Sequence, residues 1–181
     1  MSRDPNAITH FSALTPIRSA ERETLGAYLA TIPAGARSPF RRLDRTHLAR
    51  WVIIDRVERD FPGAPPTPRP LRMQYLLFTS TFNGELGEHL EELRLRAGAE
   101  TDAIWGHCIG YPGRRRRASF HRYFRHNRLP TTLSFAAYQS TIVEVRTALE
   151  VRDAHIPFAV RAQSLRDEDL QAAFIEHFGI S

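Results

Sequence analysis

The segment Trp105-Gly106-His107-Cys108-Ile109-Gly110-Tyr111-Pro112-Gly113 sets an indole, an imidazole, a thiol and a phenol among three glycines. Glycine lets backbone approach a ligand closely. Histidine or cysteine can serve as a base or as an iron ligand. On that reading His107 is the base, or the axial ligand if a haem is bound, and Trp105, Cys108 and Tyr111 line the pocket. The competing reading is a helix end closed by Gly110, with Trp105 and Cys108 in the core and the thiol a small buried hydrophobe.

A second candidate is Thr46-His-Leu-Ala-Arg-Trp-Val-Ile-Ile-Asp55. Arg50 shares a strand face with Leu48 and Val52, whereas His47 alternates with Ala49 and Trp51. An arginine inside an apolar strand is costly unless it is paired or faces a ligand. Arg50 and His47 could therefore hold a carboxylate or phenolate, with Trp51 as a further pocket wall. The alternative for Arg50 is an ion pair with Asp44, Asp55 or a helix glutamate.

The densest positive patch is Arg114–Arg117, followed by His121, Arg122, Arg125, His126 and Arg128, with Phe120, Tyr123 and Phe124 between them. Such interleaving could grip nucleic acid. A solvated loop beside a site, or one attracting an anionic substrate, is the reading preferred over a nucleic-acid surface.

Other chemistries have no signature. All 25 basic residues are arginine, which removes Schiff-base, P-loop and general-base lysines. Arginine in place of lysine suits a GC-rich genome, so much of the formal charge of +5 is compositional. There is no His-Glu-x-x-His, Cys-x-x-Cys or Gly-x-Gly-x-x-Gly, and no Gly-x-Ser-x-Gly. His107 and Cys108 are adjacent, and His121 and His126 are five apart, so neither pair shares a helix face. No metal site is expected apart from His107 as a haem ligand; the cofactor is either none or haem. One cysteine cannot form an internal disulfide, which suits a reducing cytoplasm. No apolar run approaches the roughly 20 residues of a membrane helix.

The elements that must position these residues can be read from periodicity. Strands are expected over 7–16, 47–55 (central in the sheet), 73–82 and 131–140. Helices are expected from Ser19 to about Ile32, from Asn83-Gly84 to Ala97, across 101–108 after a Thr101-Asp102 cap, from Ser119, from a Thr141–Glu144 capping box to about Arg152, and over 165–178. The last should bury Leu170, Ala173 and Phe174, and the proline-rich 61–70 should be a loop. The order is that of the split βαβ, ferredoxin-like α+β fold: a four-stranded antiparallel sheet with helices on one face. At 181 residues the chain suits a single domain, with a core over about 7–152 and a helical extension over 153–181. A second subunit covering the open sheet face would make a homodimer.

Three segments, 46–55, Leu76-Leu-Phe-Thr-Ser-Thr-Phe-Asn-Gly84 and Ile104–Gly113, resemble a group of bacterial proteins in the dimeric α/β-barrel (ferredoxin-like) superfamily. The resemblance covers about residues 8–150. Asn83 stands where that group leads one to expect aspartate, and four arginines follow the Gly-Tyr-Pro-Gly turn. The superfamily includes cofactor-independent monooxygenases, polyketide cyclases and haem peroxidases, which implies a small-molecule enzyme oxidising or cyclising an aromatic or polyketide-like metabolite between sheet and helices. The Gly-x-x-Asp-Gly signature of dye-decolourising peroxidases is missing. The alternative is a non-catalytic protein binding an acidic ligand or nucleic acid through the arginine run.

Overall fold

A computed structural model describes residues 6–57, 69–136 and 140–179. The chain divides into two compact units, 1–142 and 143–181. No helix among the described residues is long and apolar enough to cross a membrane.

In the first unit, β1 (Ile8–Pro16) alternates so that Phe11, Ala13 and Thr15 are buried. The helix α1 (Arg22–Thr31) buries Leu25. It begins after Glu21 without a side-chain cap, later than the Ser19 cap would place it. Two 3₁₀ turns, 35–37 and 39–42, occupy the expected loop. Strands β2 (Thr46–Val57) and β3 (Arg69–Asn83) then pair antiparallel. Residues 58–68, most of the proline-rich loop expected over 61–70, lie outside the described residues, whereas Arg69 and Pro70 pair with β2.

Three helices follow. These are α2 (Leu86–Arg96), α3 (Gly98–Trp105) and α4 (Arg117–His126). The short β4 (Arg128–Leu129) closes the sheet on β1. The order is β2-β3-β1-β4 with every pair antiparallel. That is the α+β, ferredoxin-like arrangement expected from the element order.

Four expectations need correction. The 46–57 strand is an edge strand, because it pairs with β3 alone. Its two-faced apolar character misled, since Leu48 and Val52 on the outer face are exposed. The fourth strand is Arg128–Leu129 and not 131–140; residues 131–136 form no strand, and 137–139 lie outside the described residues. The helix expected after a Thr101-Asp102 cap starts earlier, at Gly98, so Thr101 is a buried residue within α3 whose hydroxyl donates to the Leu93 carbonyl. Finally, α3 stops at Trp105, short of Cys108.

The core lies between one sheet face and the helices. Phe11, Leu76, Phe78 and Phe82 from the sheet meet Leu25, Leu90, Leu93, Ile104, Trp105, Phe120 and Phe124 in one cluster. Trp105 is its centre, edge-on to Phe78 at 5.2 Å and to Phe124 at 4.9 Å.

The second unit holds α5 (Ile142–Ala162) and α6 (Asp167–Phe178). The expected end near Arg152 is overrun by ten residues, through Pro157. Phe158 is buried and contacts Phe174, His177 and Phe178. Leu170 and Phe174, expected to be buried, remain exposed.

Candidate anion-binding face and the predicted site residues

The helix α4 separates apolar from charged residues with helical spacing. Phe120, Tyr123 and Phe124 fall at i, i+3 and i+4 and are buried. That single face pins the helix to the core. Arg117, His121 and Arg125 form one adjacent row, and Ala118, Arg122 and His126 another. A concavity of about 630 Å³ is lined by these six residues, so its lining among the described residues comes from α4.

Some of the local cations are neutralised. Glu91 on α2 accepts hydrogen bonds from Arg94 at 2.5 Å, Arg117 at 3.2 Å and His121 at 3.0 Å. Those bonds, Arg94 first, pull its pKa down to about 2. Arg114 pairs with Asp102 at 3.2 Å. Among the described residues, Arg115, Arg116, Arg122, Arg125 and Arg128 have no carboxylate partner. The reason is visible in the sequence: between Asp102 and Glu144 there is no carboxylate, while seven arginines and three histidines fall in that interval. A genome that favours arginine codons replaces lysine; it does not strip out aspartate and glutamate.

The Gly-Tyr-Pro-Gly turn leads into this face. Gly110 and Gly113 both have φ +73°, a conformation that favours glycine. The Tyr111 hydroxyl donates to Asp102 at 2.7 Å, and the Arg114 N–H donates to the same oxygen at 3.0 Å. Burial, followed by the Asp102 carboxylate, raises the Tyr111 pKa. Tyr111 is thus a strut that fixes where the arginine run begins.

The residues proposed from sequence as one catalytic site are not brought together. His47 Nε2 meets Asn83 Oδ1 at 2.8 Å, and Asn83 pairs with Ile8 at the start of β1. His107 lies at the other end, where its carbonyl accepts from the Arg18 N–H at 3.0 Å and Cys108 bridges Ile17. Nine strand residues at about 3.3 Å each put roughly 30 Å between them. Arg50 is exposed on the outer sheet face, across from Thr79. Its suggested partners are taken, Asp55 by Arg22 and Asp44 by Arg96.

The pocket-wall assignments change as well. Trp105 and Cys108 have zero exposure, and Trp51 packs against Phe40, Phe78 and Trp105. These side chains are core. Burial pushes the Cys108 thiol pKa up, which removes it as a thiolate at neutral pH. Asn83 also serves the fold directly. Its amide N–H donates to the Asn6 carbonyl at 2.9 Å, which a carboxylate could not do.

One pair near the singular segment retains chemical interest. His107 Nδ1 and Glu21 Oε2 are 2.8 Å apart, and both side chains are partly exposed. A carboxylate held on Nδ1 is the arrangement that orients a histidine base. The aromatic rings on the core side of this segment, Trp105 and Trp51, pack against each other and against Phe78. Among the described residues, no cluster of three or more His, Cys, Asp or Glu could hold a metal ion.

Sequence reasoning missed Glu91 and Glu21. Nothing in local spacing pairs residue 21 with 107 or 91 with 121; only the fold does. No protein-family model, curated protein or solved structure matches this chain.

Proposed function

We propose that this chain is an anion-binding protein that receives a polyanionic ligand along the outward face of α4. The observation carrying this is the set of five arginines, 115, 116, 122, 125 and 128, without carboxylate partners among the described residues and within one short, well-anchored segment. Unpaired guanidinium groups at a surface are strong, planar donors to phosphate and sulfate. The concavity along α4 is open rather than enclosed, whereas small-molecule sites bury most of their ligand. It suits an extended ligand that runs past it.

The test is titration with heparin. Binding should weaken steeply as salt rises, and Arg122→Ala with Arg125→Ala should reduce affinity at least tenfold. Absence of binding at low salt, or an unchanged affinity in the double variant, contradicts the proposal.

A second reading keeps the small-molecule enzyme, oxidising or cyclising an aromatic substrate. The His107–Glu21 pair supports it, with His107 as base. It predicts that His107→Gln abolishes turnover in a folded protein; full turnover in that variant removes it. The homodimer expected from the open sheet face is tested by light scattering, with twice the 20.7 kDa chain mass as the expected result.

A further inference from the structure

We infer that the polyanion is a nucleic-acid duplex, held by its phosphates without base stacking or sequence reading. This rests on the anion-binding role of α4 and goes one step further, to the ligand's form.

Single-stranded nucleic acid is usually gripped by a basic groove together with aromatic rings on which bases stack. Here the aromatics interleaved with the arginines all point inward. Phe120 and Phe124 have zero exposure and Tyr123 only 8%. On the sheet, Phe11, Phe78 and Phe82 are also buried in the core. Ferredoxin-like sheets that bind RNA stack bases on neighbouring exposed strand aromatics; on the open face of β1 and β3 the two rings, His10 opposite Thr81 and Tyr75 opposite Pro16, stand six residues apart with Ser12, Leu77 and Thr79 between them.

What α4 does offer is charge along a rigid rod. Its ten residues span about 15 Å at 1.5 Å per residue, and Arg115, Arg116 and Arg128 extend the positive line beyond both ends. A duplex presents a fixed phosphate array at one charge per about 1.7 Å of axis, which a helix that fixes the backbone positions of its arginines can follow without bending. Arginine reads guanine edges only when its guanidinium is fixed in orientation, and among the described residues no side-chain hydrogen bond holds Arg115, Arg116, Arg122, Arg125 or Arg128. The one carboxamide beside this face, Asn127, already donates from Nδ2 to the Tyr123 carbonyl at 2.8 Å, which leaves the outward face to arginine, histidine and Ala118.

An anionic membrane is the competing macromolecule. It is disfavoured because the apolar face of α4 is spent in the core, so no amphipathic insertion can accompany the charge.

The experiment is fluorescence anisotropy of the full chain with four labelled probes, namely a 24-bp DNA duplex, an RNA duplex of the same sequence, a scrambled DNA duplex and the single strand. Heparin and phosphatidylserine vesicles serve as separate competitors. Expected results are at least tenfold tighter binding of duplex than of single strand and no more than a threefold difference between scrambled and parent duplexes. If all five arginines engage, affinity should fall about 500-fold between 50 and 200 mM salt. Phe135→Ala, which removes the 85% exposed ring beyond β4, should change nothing. The two duplex arms distinguish DNA from RNA as the source. Single-strand binding as tight as duplex, or loss of binding in Phe135→Ala, overturns the duplex inference while heparin binding keeps the anion reading. Displacement by vesicles but not by duplex also overturns it. No binding to any anionic probe overturns both.

Discussion

The arginines on and around α2 and those on and around α4 are chemically identical, yet the fold treats them differently. Near α2 each has a carboxylate: Arg94 has Glu91, Arg45 has Glu88 and Glu92, Arg96 has Asp44, and Arg42 has Glu100. Around α4, among the described residues, only Arg114 and Arg117 are matched. Surface pairs contribute little stability individually, but they consume the charge. The unmatched group stays available, and the total count of arginine conceals this. Residues 1–142 hold twenty-one arginines and thirteen carboxylates, while 143–181 hold four and seven.

The comparison breaks most decisively by reversing charge. Arg122→Glu with Arg125→Glu should weaken heparin binding at least a hundredfold, whereas Arg45→Ala with Arg96→Ala should change it less than twofold. A titration of each double variant beside the parent protein measures both.

Histidine extends the contrast. His89 on α2 is sealed against Phe82, stacked at 3.9 Å, and burial lowers its pKa to about 3. Because the folded value lies below the unfolded 6.5, its contribution to stability is complete above that unfolded value and is lost as pH falls towards the folded one. Between pH 7.5 and pH 5 this amounts to about 2 kcal/mol. His89→Phe should flatten that part of the curve, as urea unfolding at the two pH values would show. Glu91, with its pKa at about 2, acts lower: its contribution is present above about pH 4.5 and disappears between 4.5 and 2.

Glu91 also permits the reverse experiment, converting a matched cation into an unmatched one. Glu91→Gln frees Arg117 and His121 and should raise heparin affinity about threefold, with a lower melting temperature. The smallest effect belongs to Gly98→Ala. The new methyl would stand 2.5 Å from the Arg114 guanidinium, which is exposed and can swing away from Asp102. A stability change under about 1 kcal/mol is expected, with a rise in heparin affinity smaller than that of Glu91→Gln, read by calorimetry and titration.

Most of the fold was legible because strand and helix periodicities differ. Alternation marked β1 and β3, and the leucine spacing at 86, 90 and 93 marked α2. The strand at 128–129 was not legible, because two residues carry no periodicity and their pairing depends on β1. The edge position of β2 was hidden too, since exposed Leu48 and Val52 read as buried. At the candidate site, the arginine run was visible at once, but its meaning was not. The interleaved Phe120, Tyr123 and Phe124 looked like a stacking platform, and only the placement of α4 shows that they anchor the helix. In the same way, Trp105-Gly-His-Cys108 looked like a pocket, whereas tight core packing accounts for two of its three side chains.

The central claim is that unmatched charge on α4 forms the anion-binding face. Its most direct measurement is the slope of log affinity for a 24-bp duplex against log salt. The predicted slope is shallower by about 1.8 units in Arg122→Ala with Arg125→Ala, at about 0.9 per lost phosphate contact, and unchanged in Arg45→Ala with Arg96→Ala. Equal slopes in the two double variants would contradict it.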